Sequence, residues 1–458
     1  MTDTTPALHR RLGPYDGAAI VVSNVIGSGI FFLPIIVALN VPDPRLMLAA
    51  WLVGGILAFA GAVSYAELAA LRPRAGGEYV YLREAFGPIA AFLTGWTSFV
   101  AGFTGAIAVN SLAVADYLGR FIPAAADRTP LLTIPIPAIP LIVSRQTIVA
   151  LALVVGLSFI HIRGLGPGRI VQNMLAGGKV LGLVIFIALG LSIGHGDFGH
   201  LSQGASASPG GFLLALIPVM FAYSGWNAAA YVAEEIRDPG RNVPKALGLG
   251  TVAVIVIYLL LNLLYLYAMP GGDLAGLISG GARLIDVVAE RLFGFVTATL
   301  IALFTIISLA ASVSAMVLAG PRVYYAMARD GLFFPAAARV HARYRTPAIA
   351  IVAQGLWSGV LILSGTLSQL ASYTGFAVVL FAAVAVMALF VLRARHPNEP
   401  RPFRAWGYPV APALFIVVSG AMLVNAIWRE PRDSLFGVFV IAIGLPLMIW
   451  FRRGSARP

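Results

Sequence analysis

Stretches of about 20 apolar residues follow one another along the whole chain and leave it few ways to fold. A helix of that length spans the ~30 Å hydrocarbon core of a bilayer. In lipid every backbone N–H and C=O must be bonded within the protein, so only helices and closed barrels cross it. The chain is 59% hydrophobic and 11% charged, whereas soluble domains carry about 25% charged residues. We therefore predict an all-α integral membrane protein with 12 transmembrane helices, at residues 15–39, 46–70, 88–117, 146–162, 170–193, 211–233, 246–269, 293–319, 348–365, 368–391, 409–428 and 434–451.

Basic residues are distributed unequally between the segments that connect these spans. With both termini on one side, 22 of the 31 arginines and lysines lie in segments of that side and 8 on the other, while Lys179 lies inside span 5. Because cytoplasmic loops are enriched in Lys and Arg, both termini are predicted to be cytoplasmic, in a cell membrane such as the bacterial inner membrane. This distribution explains the net charge of +12 better than nucleic-acid binding does. The first span lacks a signal-peptide cleavage pattern and is predicted to be retained.

Glycine interrupts two of the spans. Gly27 and Gly29 lie in the middle of span 1, and Gly225 lies within residues 221–227 of span 6. Glycine weakens a helix by ~1 kcal/mol relative to alanine, and loose backbone at membrane depth is tolerated only where it lines a cavity or is buried in protein. Interruptions in corresponding segments of two halves indicate a transporter's substrate site; the alternative is that the glycines serve helix packing.

The two interrupted spans also suggest how the chain is divided. Spans 1 and 6 are five apart and cross in opposite directions, as an inverted repeat of spans 1–5 and 6–10 requires. We predict a five-plus-five inverted repeat with discontinuous helices 1 and 6 and two additional C-terminal helices. The predicted units are a cytoplasmic tail at 1–14, repeats at 15–193 and 194–395, and a segment at 396–458 that holds spans 11 and 12.

A broken helix exposes main-chain groups of both polarities. The half-helix after the break presents free N–H groups, and the half-helix before it presents free carbonyls. The first set predicts a carboxylate site and the second an ammonium site, so one α-amino acid satisfies both. Phe221, Tyr223 and Trp226 are expected either to form apolar walls or a gate, or to serve as ordinary packing residues. The predicted substrate-binding residues are Val25, Ile26, Gly27, Ser28, Gly29, Ile30, Phe221, Ala222, Tyr223, Ser224, Gly225, Trp226 and Asn227.

Four stretches make the chain similar to a known family: residues 27–31 with Pro34, residues 73–87, residues 221–245 and residues 322–331. On these, the chain resembles the amino acid–polyamine–organocation superfamily over residues 12–395, and is most similar to its L-type amino acid transporter branch. The resemblance implies the inverted-repeat fold, alternating access, amino acid transport and a gating role for Phe221. Ser224 stands where glycine is usual in mammalian L-type members, which is expected to narrow the pocket against large aromatic substrates. Those mammalian members are linked by a cysteine to a glycoprotein subunit; this chain has no cysteine, so a disulfide-linked partner is excluded.

Lys179 lies about ten residues into span 5, which places it ~15 Å deep at 1.5 Å per residue. An ionisable residue at that depth is a functional candidate. We predict that its ammonium takes the place that sodium fills in sodium-driven relatives, tying span 1 to span 8 near Ser308 or Ser312. The resemblance supports this, since sodium-independent members carry a lysine at such a place. The alternatives are a lysine that extends to the interface and a proton-coupled role favoured by burial.

The sequence predicts no cofactor, metal or catalytic site. The six histidines have no metal-ligand spacing, and a phosphate-binding GxxxxGK[ST] motif is absent. The predicted function is sodium-independent secondary transport of neutral L-amino acids, by exchange or facilitated transport, with the substrate and the bilayer as partners and no nucleic acid. One alternative is a cationic amino acid or polyamine carrier of the same fold, with or without proton coupling; another is a membrane-embedded enzyme or a receptor. Acidic residues of the inner segments, Glu78, Glu84, Glu234, Glu235 and Asp238, either form ion pairs that close an inner gate or are solvated.

Overall fold

A computed structural model describes residues 8–136, 140–204, 208–280, 283–294, 297–364, 367–429 and 431–455. Residues 1–7 of the predicted tail and Arg457 of the predicted inner charge lie outside these ranges. The described chain is mostly helical. Its α-helices are α1 (Pro14–Val25), α2 (Leu33–Asn40), α3 (Pro44–Leu71), α4 (Glu78–Phe86), α5 (Pro88–Thr97), α6 (Phe103–Leu118), α7 (Arg145–Ile162), α8 (Leu165–Ile193), α9 (Pro209–Ala222), α10 (Ala228–Tyr231), α11 (Pro239–Ala268), α12 (Gly271–Gly280), α13 (Leu284–Phe293), α14 (Thr297–Arg329), α15 (Ala348–Ser364), α16 (Leu367–Arg395), α17 (Val410–Arg429) and α18 (Pro431–Ser455).

The length and hydropathy of these helices define a multi-pass membrane protein. Within the described residues, eight helical segments are long and apolar enough to cross a membrane, and three shorter apolar helices accompany them. The pairs α1–α2 and α9–α10 occupy the residues of predicted spans 1 and 6. The predicted all-α membrane class is confirmed, whereas the count of 12 spans stays a prediction.

Polar caps fix where several helices begin. The Asp43 carboxylate accepts hydrogen bonds from the N–H groups of Arg45 (2.9 Å) and Leu46 (3.0 Å) at the start of α3. Ser144 caps α7 and Ser208 caps α9 through their hydroxyl oxygens. Such caps satisfy N–H groups that have no partner within the helix, so the sequence sets these boundaries locally.

The third predicted span contains a π-helical turn at Ser98–Gly102, between α5 and α6. Carbonyls released by this turn are bonded by side chains, as membrane depth requires. The Thr104 hydroxyl donates to the carbonyl of Phe99 (2.7 Å), and the Trp357 indole N–H donates to that of Val100 (3.0 Å). The irregular turn is therefore held by hydrogen bonds from neighbouring side chains. It directly precedes α6, which lines a cavity between the two interrupted spans.

The connections contain structure that the apolar pattern did not predict. Helices α12 and α13 lie between spans 7 and 8, and a short antiparallel hairpin pairs β1 (Leu132–Ile134) with β2 (Leu141–Val143). In α13 only one face is apolar and buried, and its 10 residues are about half the length that a membrane span needs. The hairpin is a local departure from the all-α prediction.

Helices α3, α11 and α14 form the framework around the two interrupted helices. Helix α11 packs along both α1 and α3, and α14 packs against α1, α6 and α8. The face at which α1 begins, predicted to be cytoplasmic, is called the inner face below, and the opposite one the outer face.

Candidate functional site

The first interruption follows directly from the end of α1. Ile26 leaves the helical region (φ −76°, ψ 83°), and a 3-10 turn, Gly29–Phe31, precedes α2. The N–H of Ser28 donates to Oδ1 of Asn110, on α6, at 3.2 Å. The turn's own hydrogen bonds begin at Phe31, so the N–H groups of Gly29 and Ile30 precede the first bond within it.

The second interruption separates α9 from α10 over residues 223–227. Gly225 has φ +101°, a conformation that glycine adopts at no steric cost. A Cβ on Gly225 would lie 2.6 Å from Nδ2 of Asn24 and 3.1 Å from its carbonyl oxygen. Nδ2 of Asn24 in turn donates to the Gly225 carbonyl at 3.4 Å. Only glycine therefore lets the two interrupted segments meet this closely.

A tyrosine on α11 joins the ends of both preceding half-helices. The hydroxyl of Tyr258 is 3.0 Å from the carbonyl oxygen of Val25 and 3.0 Å from that of Ala222. Its single proton is shared between the two carbonyls, each at the last residue of α1 or α9. The Tyr258 ring packs edge-on against Trp51 of α3 at 5.5 Å. Tertiary packing thus holds the two helix ends beside each other.

Lys179 is completely buried and lies beneath the first interruption. Its Nζ donates to the carbonyl oxygen of Ser23 (3.1 Å), to that of Ile26 and to Oγ of Ser312 (2.9 Å). Ser312 Oγ itself donates to the Ile26 carbonyl at 2.8 Å. Oγ of Ser308 has no hydrogen-bond partner among the described residues. The ammonium therefore links α8 to α1 and α14 through Ser312 rather than through Ser308.

A cavity of about 620 Å³ lies between the two interruptions. It extends along the half-helices α2 and α9 toward the outer face, and also reaches α6, α14, α16, α17 and α18. None of its lining residues within the described chain is charged. The lining residues that the sequence predicted are Val25, Gly27, Ser28, Gly29, Phe221, Ala222 and Ser224.

Six predicted site residues do not line this cavity. The Ile26 carbonyl accepts from Lys179 and Ser312, and Ile30 is buried in the core. Tyr223 and Trp226 are buried toward α3, where the Tyr223 hydroxyl donates to the Trp51 carbonyl (3.1 Å) and Trp226 packs on Tyr65. The expected aromatic wall is therefore reduced to Phe221. Gly225 packs against Asn24, and Asn227 donates to Glu78.

Other lining residues were missed by reasoning from the sequence. Asn24 precedes the first interruption directly, and a buried amide next to a helix break is the signal that identifies it. Asn110 lies within span 3 and offers the same signal only once α6 is known to face the interruption. Met422 and Ser434 line the cavity from α17 and α18, spans that the sequence placed outside the repeat without a role at the site.

Main-chain bonds close the inner face below the cavity. The N–H groups of Arg11 and Leu12 donate to the carbonyl of Glu235, at 2.9 and 3.0 Å, and the N–H of Arg237 donates back to the carbonyl of Leu12 at 2.9 Å. The segment before α1 is thereby joined to the segment after α10.

A buried ion pair reinforces this closure. Nε and Nη2 of Arg322 donate to the two carboxylate oxygens of Glu235, each at 3.0 Å, and both side chains are at most 1% exposed. The sequence placed Arg322 in a connecting segment after span 8; instead α14 continues to Arg329 and carries Arg322 into the interior. For Glu235, the ion-pair alternative is the one that the structure contains.

Glu78 forms a second buried contact with the end of the second interruption. Its carboxylate accepts hydrogen bonds from the Tyr65 hydroxyl (2.8 Å), Nδ2 of Asn227 (3.1 Å) and the Thr94 hydroxyl (3.4 Å). Burial raises the pKa of the Glu78 carboxyl, and these hydrogen bonds oppose that rise. Glu78 therefore connects α3, α4 and α5 to the last residue of the second interruption.

Two interrupted helices that meet at a cavity in a helical membrane protein are the arrangement seen in transporters with discontinuous helices. The sequence comparisons identify the family. A model of the amino acid permease family matches residues 12–450, so the chain belongs to that family and is a transporter rather than an enzyme. The predicted superfamily and L-type branch are confirmed.

Several characterised transporters are similar over nearly the whole chain. The b(0,+)-type amino acid transporter 1 of Mus musculus is 29% identical over 465 residues, which cover 99% of this chain and 91% of that protein. The large neutral amino acids transporter small subunit 2 is 29% identical in Mus musculus and 28% in Homo sapiens, each over 448 residues and 96% of this chain, covering 81% and 80% of the relative. Amino acid transport across a membrane is thus the function at the level of the family.

Proposed function

We propose that this protein is a sodium-independent secondary transporter of neutral L-amino acids that works by alternating access. The observation that carries the proposal is the uncharged cavity bounded by main-chain groups of both interrupted helices. The proposal includes the inverted repeat of residues 15–193 and 194–395, cytoplasmic termini and a bacterial inner-membrane location. Exchange and facilitated transport both fit it.

The substrate's zwitterion is recognised mainly by backbone. We assign its carboxylate to the N–H groups of Ser28 and Gly29, which line the cavity at the positive end of the half-helix after the break, and no longer to that of the buried Ile30. The Ser28 N–H is bonded to Asn110, so a carboxylate has to share or replace that bond. The ammonium group is assigned to the carbonyls of Phe221, Ala222 and Ser224, because the Ile26 carbonyl already accepts two hydrogen bonds, from Lys179 and from Ser312, which occupy both of its lone pairs.

The neutral substrate class is supported by the cavity lining. A cationic side chain needs a carboxylate partner, because a buried unpaired charge is costly. The described lining offers only apolar groups, amides and hydroxyls. This favours neutral side chains over the cationic amino acid and polyamine alternative, for which none of the described lining residues supplies a counter-charge.

Alternating access is supported by a difference between the two faces of the protein: the cavity extends toward the outer face, whereas contacts join the segments at the inner face. The cavity extends outward along α2 and α9, while Glu235, Arg322 and the segment before α1 close the inner face. Transport then requires the inner contacts to open after substrate binds.

Sodium independence is supported by the bonds of Lys179. A fixed ammonium bonded to two carbonyls of α1 and to Ser312 supplies the positive charge that a bound cation otherwise brings to this place. We therefore expect uptake by proteoliposomes to be unchanged when choline replaces sodium. Uptake that collapses in choline would refute this part of the proposal.

The binding site is tested by Gly29→Val. A Cβ on Gly29 lies 3.2 Å from Cδ1 of Leu33 and 3.6 Å from Cα of Ala222, so valine crowds the proposed carboxylate site. In a thermal-shift screen against the 20 amino acids, neutral ligands are expected to stabilise the wild type by RT ln(1 + [L]/Kd) and to leave this variant unshifted. Gly156→Val is the matched control, because no atom of the described residues lies within 4 Å of a Cβ at Gly156.

Two outcomes would contradict the assignment. Undiminished alanine binding by Gly29→Val, with the control behaving as wild type, would remove the proposed pocket. Competition of labelled alanine uptake by arginine or putrescine as strong as that by neutral amino acids would favour the cationic alternative instead.

A further inference from the structure

A second cavity lies away from the site described above, at the inner end of α11. It is a groove of about 1020 Å³ between α3, the start of α11 and the loop that precedes α17. The end of the groove at the inner face carries charged residues, and the part that continues along α11 toward the outer face is apolar. We call it the inner groove; its main lining residues are Phe59, Val63, Arg241, Lys245, Leu249 and Trp406.

The charged part of the inner groove has unpaired cations. Arg241 and Lys245 are four residues apart in the first turns of α11, so they lie on one helix face about 6 Å apart along the axis. Both are exposed, and neither forms a salt bridge within the part of the chain that the structure describes. Asp238 also lines the groove, which leaves an excess of one positive charge, and the exposed Arg404 lies two residues before Trp406.

The apolar part continues into the region of the bilayer. Leu249 lies one turn beyond Lys245 and is 50% exposed, and Val252 is 46% exposed. On the opposite wall the Trp406 ring packs on Phe59 at 6.5 Å and is itself 66% exposed. Tryptophan is favoured at the membrane–water interface because its ring is amphipathic. The groove thus has charged residues at the inner face and an apolar surface toward the bilayer centre, which matches the charged headgroup and apolar acyl chains of a phospholipid.

Buried ion pairs hold the wall of the inner groove in place. The Glu67 carboxylate, which is fully buried, pairs with Arg393 at 2.5 Å and with Arg401 at 3.5 Å. It also accepts the N–H of Ala405 at 2.6 Å. The loop that carries Trp406 is therefore fixed to α3, so the groove is preformed.

From this arrangement we infer that the inner groove binds an anionic phospholipid of the inner leaflet. The headgroup phosphate is held by Arg241 and Lys245, and one acyl chain lies along Val63, Leu249 and Val252. Basic pockets between transmembrane helices on the cytoplasmic side are suited to such headgroups. The lipid fills the space between the loop before α17 and the helix α11 that carries Tyr258. This site is separate from the proposed substrate cavity.

The test uses the full-length protein in micelles that hold equal amounts of phosphatidylglycerol and phosphatidylcholine. Native mass spectrometry measures which lipid is retained. The wild type is expected to retain phosphatidylglycerol preferentially, and Arg241→Gln/Lys245→Gln to reduce that preference roughly tenfold or more, since each basic residue near a membrane surface contributes about 1 kcal/mol. Arg339→Gln/Arg343→Gln removes the same charge outside the groove and is expected to retain the preference.

A second pair of variants tests the acyl-chain part while leaving the charges intact. Among the residues that the structure describes, none comes within 4 Å of a Cβ at Gly248, which lines the groove, or at Gly156 on α7. Gly248→Phe is expected to lose the retained lipid, and Gly156→Phe to keep it; thermal unfolding checks that both are folded. Glycerol phosphate, which has the charge without the chains, is expected not to displace the lipid.

Three results would each overturn the inference. They are equal retention of the two lipids by the wild type, an unchanged preference in Arg241→Gln/Lys245→Gln, and displacement by glycerol phosphate. The last result would indicate a site for a soluble phosphate. Substrate binding by the same samples is measured separately, so failure of this inference is distinguishable from failure of the proposed transport function.

Discussion

Replacing Lys179 with methionine tests the buried ammonium, because methionine keeps an unbranched stem and removes the charge. The three hydrogen bonds of Nζ each involve a charged donor and contribute about 1.5–3 kcal/mol. Desolvation of a buried ammonium costs several kcal/mol, which offsets most of that sum. Removing the ammonium is therefore expected to weaken the attachment of α1 by a net free energy of about 1–3 kcal/mol. Since 1.4 kcal/mol corresponds to a factor of ten, uptake is expected to be roughly 5- to 150-fold weaker.

The assay is uptake of labelled alanine into proteoliposomes, with thermal unfolding measured in parallel. Ser312→Ala is expected to resemble Lys179→Met, since Oγ of Ser312 bonds to both Nζ of Lys179 and the carbonyl of Ile26. Ser308→Ala is the matched control, one turn earlier on α14, and is expected to transport as wild type because its hydroxyl has no partner in the described chain.

Two results would refute this reasoning. Wild-type uptake by Lys179→Met would show that the ammonium does not fix α1 for transport. Equal losses in Ser308→Ala and Ser312→Ala would show that the hydrogen bonds through Ser312 are not what matters at this place.

Two further substitutions test the contacts around the cavity. Gly225→Ala is expected to weaken substrate binding and lower the unfolding temperature, because φ +101° is strained for alanine and its Cβ meets Asn24; Gly156→Ala should be neutral, and a neutral Gly225→Ala would contradict the close contact. Glu235→Gln leaves Arg322 as an uncompensated buried charge and is expected to destabilise the protein by about 3–5 kcal/mol. Glu235→Gln/Arg322→Gln should recover part of this loss in thermal unfolding, and no recovery would argue against the pair.

Much of the fold was predictable because the bilayer restricts what an apolar chain can do. Span 4 (146–162) agrees closely with α7 (Arg145–Ile162), whereas α8, α11 and α14 continue five to ten residues beyond spans 5, 7 and 8 at their inner ends. Backbone propensity also acts locally. Glycines therefore predicted both interruptions, close to the residues at which α1 and α9 end. The place of Lys179 inside span 5 agrees with its burial within α8, although α8 begins at Leu165, five residues before the predicted span, and the depth of Lys179 in the membrane stays a prediction.

The sequence could not determine which way the residues around each interruption face. In a soluble helix the polar face marks the solvent side, but in this protein lipid-facing and core-facing side chains are both apolar. Tyr223 and Trp226 were therefore predicted to be as close to the substrate as Phe221, and only packing against α3 separates them. The buried position of Arg322 was missed for a related reason, since a charge ends an apolar window even where the helix continues.

The chain by itself determined that apolar helices cross a membrane, where two of them break and that Lys179 lies inside one of the spans. Each of these depends on local composition and on the absence of water as a hydrogen-bond partner in lipid. Only the tertiary structure decided that Asn24, Asn110 and Tyr258 converge on the breaks and that α17 and α18 reach the cavity. Those contacts join residues far apart in sequence, and they depend on the rotation of each helix about its axis, which packing fixes and an all-apolar sequence pattern does not record.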